Sequence, residues 1–121
     1  MSPTAHPHLH AARSLVVALR ALTASGLGAP QARAALASGY GAAAARVLVA
    51  LQIYVARLAA GASRTLLLAG PCCPCLSPDE AAIIDAAARV GAGDWAGAHA
   101  ALEGMVRADA AEMVVSAAAV L

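Results

Sequence analysis

The 121-residue chain contains no lysine, no asparagine and no phenylalanine, and its only aromatic residues are Trp95, Tyr40 and Tyr54. The missing types have A/T-rich codons, so the composition reads as the product of a G/C-rich, bacterial genome. Hydrophobic residues make up 61% of the chain, but half of them are alanine. At roughly 25 cal/mol per Å² of apolar surface buried, an alanine-rich core with almost no rings is thin for its length. A chain of this kind gains stability by covering a helix face with a second copy or a partner protein.

Long uncharged runs are missing as well. The longest, Thr65 to Pro78, holds Pro71, Pro74 and Pro78, and a spanning helix needs ~18–20 apolar residues. The apolar segment Val47 to Ala56 is bracketed by Arg46 and Arg57, and Leu15 to Leu19 is cut short by Arg20. Neither a transmembrane segment nor a signal-peptide core is expected, and the chain is read as cytoplasmic. The three cysteines all lie in one loop, which excludes a disulfide framework.

What remains is helical patterning over a single all-α domain, 1–121, expected as a bundle of five to six short helices. Residues 1–7 read as a flexible tail, 8–63 as a basic helical half, 64–77 as a Cys/Pro loop and 78–121 as an acidic helical half. The first helix is predicted from His8 to Ala24, with Leu9, Ala12, Val16 and Leu19 at helical spacing. Ser25-Gly26-Leu27-Gly28 ends it, and Pro30 suits the first position of a second helix running to Gly39. The glycines around Tyr40 break the chain before a third helix, Ala42 to Ala60, apolar on most sides. Such a helix is central to the core or covered by another subunit, and Val47, Leu51, Tyr54 and Leu58 are read as the interface for that subunit.

Arg64 to Leu68 is expected to be extended. Ser77-Pro78-Asp79-Glu80 is the clearest local signal, a capping box that opens a fourth helix running to Gly91. Asp94 is expected to cap a fifth helix with Trp95, Ala98, Leu102 and Val106 on one face. Asp109-Ala110-Ala111-Glu112 reads as a second capping box, opening a sixth helix with Met113, Val114, Ala117 and Leu121 inward. Residues 81–106 thus read as a helical hairpin that resembles a tetratricopeptide one only loosely, without the second copy at a ~34-residue period that a repeat array requires.

Charge divides the chain. Met1 to Pro78 carries six arginines (Arg13, Arg20, Arg33, Arg46, Arg57, Arg64) and no acid, whereas Asp79 to Leu121 carries seven acids against Arg89 and Arg107; the net charge of +1 hides this asymmetry. Every acid has a local explanation. Asp79 and Glu80 sit on a helix N-terminus, Asp94, Asp109 and Glu112 belong to caps, and Asp85–Arg89 and Glu103–Arg107 are i,i+4 pairs. A catalytic carboxylate pair is therefore not expected.

The arginines of the first half have no such local account. They either meet the acidic half, within the chain or across a dimer, or form an anion-binding face of Arg13, Arg20, Arg46 and Arg57. Pro30 to Leu48 has the outline of a helix-turn-helix, but its second helix opens with Ala42-Ala43-Ala44-Ala45, which offers no side chain to a base edge. Nucleic-acid binding would be nonspecific at most.

Cys72, Cys73 and Cys75 put three thiols into four residues beside three prolines, a set that could hold zinc or copper(I), with His6, His8, His10 or His99 as a fourth ligand. The spacing matches no standard zinc module, and small thiols packing against the helices in a tight loop are the favoured explanation. A Cys75 nucleophile with a His99 base would need the fold to bring them together.

The run Arg64-Thr65-Leu66-Leu67-Leu68 followed by Cys73-Pro74-Cys75-Leu76-Ser77-Pro78-Asp79-Glu80 resembles small uncharacterised all-helical bacterial proteins carrying the same segment. The resemblance implies an all-helical fold and lends no activity, cofactor or partner. The reading the sequence favours is a non-enzymatic interaction or regulatory module, a homodimer or a partner-bound protein with no expected cofactor. Thiol–metal binding on the Cys72–Cys75 loop is the alternative, and nonspecific anion binding a weaker one. An enzyme is the least supported class.

Overall fold

The computed structural model describes residues 6–68 and 76–121, with side chains from residue 13 onward. These form an all-α single-domain bundle of six helices: α1 (His6–Ser25), α2 (Pro30–Tyr40), α3 (Ala44–Gly61), α4 (Pro78–Gly91), α5 (Trp95–Ala101) and α6 (Ala111–Ala118). A 3-10 turn, Gly41–Ala43, joins α2 to α3.

Local signals set most boundaries. Pro30 opens α2 because its missing N–H costs nothing in a first turn. Gly41, at φ 54°, breaks the helical run between α2 and α3. Ser77 caps α4 as expected: its hydroxyl accepts from the Glu80 N–H at 3.1 Å, and the Glu80 carboxylate accepts from the Ser77 N–H at 2.9 Å. Asp94 caps α5 by accepting from the Gly97 N–H at 2.8 Å.

Four local expectations are corrected. Helix α1 starts at His6, inside the expected tail. Helix α5 stops at Ala101, well short of Val106, and Gly104 turns the chain at φ 83°. Glu103 and Arg107 therefore share no helix and make no ion pair. Arg107 instead reaches the end of α3: its backbone N–H donates to Gly61 O at 2.8 Å, and its guanidinium to Ala60 O at 3.0 Å. Those are carbonyls left open at a helix C-terminus. Finally, Asp109 and Glu112 form no capping box; α6 begins at Ala111 behind Ala110, with no side-chain cap.

Helix α1 packs along α2, α3 against α2 and α6, and α4 against α5 and α6. The core holds Leu15, Leu19, Leu22, Leu36, Val47, Leu51, Tyr54, Leu58, Ile83, Leu102 and Val114. Trp95 and Met113, expected inward, are largely exposed. Segment 62–68 is not extended into a strand; it is pinned at Ser63, whose N–H donates to Met105 O at 2.9 Å and whose hydroxyl donates to Gly104 O at 2.9 Å. The helical run Pro30–Gly61 is long and apolar enough to cross a membrane by length and composition, and 44% of its most apolar window is buried against the chain's own helices.

Candidate interaction face and the charge network

The two halves are locked together at the N-terminus of α4. Arg20, on α1, donates through Nε to Glu80 Oε2 at 2.7 Å and through Nη2 to Glu80 Oε1 at 3.0 Å. Both side chains are buried, at 6% and 0% exposure. One residue earlier, Arg64 holds Asp79 with two bonds of 3.0 and 2.8 Å, and the Leu67 N–H donates to the same carboxylate at 2.7 Å. These donors favour the ionised form and hold the Asp79 carboxyl well below its ordinary range, at about 2. Between them, the Tyr54 hydroxyl donates to Ile83 O at 2.7 Å, tying α3 to α4. Burial pushes that phenol far above its ordinary range.

Of the arginines read as an anion-binding face, Arg20 is thus excluded, because it is spent inside the protein. Arg13, Arg46 and Arg57 are exposed, as is Arg33, and none of these four pairs with a carboxylate among the described residues. In the acidic half, Asp85 and Asp94 share Arg89, and Asp109 meets Arg107 at 3.3 Å. Glu112 lies 3.4 Å from His99, and Glu103 has no cation beside it among the described residues. Internal pairing therefore leaves free positive charge on α1 to α3 and free negative charge around α5 and α6.

The interface expected on α3 is also corrected. Val47, Leu51, Tyr54 and Leu58 are all buried against the chain's own helices, so they form core and are closed to a partner. They are the large side chains of α3 on one arc. The opposite arc carries Arg46, Val49, Ile53 and Arg57, spaced three, four and four residues apart, with Ala45, Ala56 and Ala60 beside them. Val49 is 56% and Ile53 42% exposed, so α3 presents an outward apolar pair between two free arginines.

A cleft of about 670 Å³ lies between α1, α3 and segment 62–68, lined by Leu19, Leu22, Leu27, Val55, Leu58 and Ile83. Of the polar residues Thr23, Ser63, Arg64 and Thr65 in its lining, the side chains of the first three are bonded to the chain itself. A shallow groove runs between α5 and the start of α6. Its lining includes Ala96, Ala100, Leu102 and Ala111, with His99 and Glu103.

Cys72, Cys73 and Cys75 lie outside the described residues, as do the side chains of His6, His8 and His10. Among the described residues no three His, Cys, Asp or Glu side chains are grouped so as to share a metal ion. The chain matches no protein-family model, no curated protein and no solved structure.

Proposed function

We propose that this protein is a small non-enzymatic interaction module whose docking face is the outward side of α3. The observation that carries this reading is the exposed Val49–Ile53 pair set between Arg46 and Arg57. Covering the exposed halves of two such side chains gains roughly 1–3 kcal/mol, enough to support an encounter and too little to fix it alone. The arginines supply selection, since they admit a surface bearing carboxylates and repel a basic one. The flanking alanines let another helix come close. The face lacks the Trp, Phe or Leu side chains by which surface helices enter a lipid interface, which favours a protein partner over a membrane.

The test is site-specific photo-crosslinking at native abundance, with the reactive side chain at position 53 or, as a control, at exposed position 88 on α4. A discrete adduct is expected from 53, absent from 88 and lost when Arg46 and Arg57 become Glu. No adduct at 53, or equal adducts from both positions, would sink the reading.

A further inference from the structure

We infer that the partner of the α3 face is a second copy of this chain, bound through its α5–α6 groove. The inference rests on the proposed docking role of α3 and names its occupant.

Charge decides the orientation. Arg46 and Arg57 lie on either side of the Val49–Ile53 pair. Two α3 stripes meeting face to face would therefore set arginine against arginine, whether the helices ran parallel or antiparallel. Like charges across an interface oppose it. The α5–α6 groove has the opposite character. Its lining is mostly apolar, with the small Ala96, Ala100, Ala108 and Ala111 over a floor of buried Leu102 and Val106, a surface suited to the Val49 and Ile53 side chains. Glu103 lines it without a cation among the described residues, and Glu112, its side chain 77% exposed, lies 3.4 Å from the lining His99. Met113 on α6 and Val120 just after it, 53% and 57% exposed, add apolar surface. A basic stripe with a branched apolar centre thus has its complement, in shape and in charge, on the same molecule.

The two features sit on packed neighbours, because α6 lies against α3. In the dimer we infer, a two-fold axis carries the stripe of each copy into the groove of the other, so that the contact is made twice. Of the exposed charges, Arg46 and Arg57 on the stripe meet Glu103 and Glu112 at the groove, while Arg13 and Arg33 lie outside the contact.

Analytical ultracentrifugation of the untagged full chain tests this. The wild type is expected to form a dimer whose Kd rises at least about tenfold as salt increases from about 50 to about 500 mM, because the pairing charges are exposed. Arg46→Glu with Arg57→Glu makes the stripe acidic, and Glu103→Arg with Glu112→Arg makes the groove basic. Each double variant alone is expected to be monomeric where the wild type is dimeric, with unchanged helicity by circular dichroism. An equimolar mixture of the two is expected to regain a dimer, since both of its contacts are then attractive. Should either charge-reversed protein lose helicity, Arg46→Gln with Arg57→Gln takes its place and is expected to weaken the dimer at least about fivefold. A wild type that stays monomeric to about millimolar concentration overturns the inference, as does a dimer indifferent to both reversals or a mixture that stays monomeric. In the crosslinking experiment, an adduct of twice the chain mass supports both readings. An adduct of any other mass keeps the α3 docking face and rejects the second copy as its occupant.

Discussion

Replacing Arg20 by methionine keeps an unbranched apolar stem and removes the charge, which leaves the Glu80 carboxylate fully buried without its bidentate partner. The bonds lost include the 2.7 and 3.0 Å contacts to Oε2 and Oε1, while the capping-box bond from Ser77 remains. Removing one member of a buried pair costs about 3–5 kcal/mol, because the other charge stays behind in a medium that solvates it poorly. A domain of this size has roughly 6–18 kcal/mol in total, so a large share of its stability depends on this one contact. Urea unfolding followed by circular dichroism should show the midpoint falling with the slope unchanged, and thermal unfolding a Tm lower by roughly 10–20 °C. Adding Glu80→Gln in the Arg20→Met background removes the stranded charge and keeps an acceptor for the Ser77 N–H. That second change is expected to recover about 2 kcal/mol, a coupling that double-mutant analysis reads directly. A cost below about 1 kcal/mol for Arg20→Met, or strictly additive effects, would refute the claim that this pair locks the two halves together.

Tyr54→Phe removes the 2.7 Å bond to Ile83 O and is expected to cost about 1 kcal/mol in urea unfolding, with α3 and α4 otherwise in register. Gly61→Val should cost about 1–3 kcal/mol, since even a Cβ there would stand 2.8 Å from Ala110 Cβ and 3.4 Å from Val106 Cγ1. The Asp79 carboxyl ionises at about 2 in the folded chain against an ordinary 3.8. A lowered folded value means the contribution is complete above about pH 4 and is lost as pH falls towards 2; Asp79→Asn should flatten that part of the acid-unfolding curve. Val49→Ser with Ile53→Ser, on the outward arc, should change monomer stability by no more than about 0.5 kcal/mol each while abolishing the position-53 adduct.

Whatever was written in adjacent residues could be read before the structure was known. The α4 start is the clearest case: serine, proline and glutamate within four residues specify a capped helix whatever surrounds it, and the helix begins there. The break at Gly41 and the cap at Asp94 were equally local. The errors arose where a local rule had a distant competitor. Asp109 and Glu112 have the spacing of a capping box, but Arg107 is drawn to the end of α3 and takes Asp109 with it, so α6 starts later and without a side-chain cap. Gly104, three residues beyond the last turn of α5, was the available sign that this helix stops early.

Glu80 shows why the central ion pair was not legible. Its place in the capping box and its position on a helix N-terminus already explained it, so nothing local asked for Arg20, sixty positions away. On α3 the missing step was angular. Apolar on most sides as a whole, the helix has Val49 and Ile53 on the arc of Arg46 and Arg57, while Val47, Leu51, Tyr54 and Leu58 fall on the other. Projecting the helix by size, with alanine ignored, separates the two arcs from sequence alone.

The charge division thus has two components that respond differently to the same perturbation. Arg20–Glu80 is buried, so salt reaches it poorly, and the Arg64–Asp79 pair is shielded on its acidic side. Arg13, Arg33, Arg46 and Arg57, with Glu103 and Glu112 opposite in sign, lie where counterions compete freely. If the asymmetry existed only to join the halves of one chain, raising salt would leave association unchanged, since the charges that matter would already be hidden. If the outward set selects a partner, moderate salt weakens association while the unfolding midpoint of the monomer hardly moves. Measuring both on the same samples separates the two roles, because the buried pair governs the second quantity and the outward set the first.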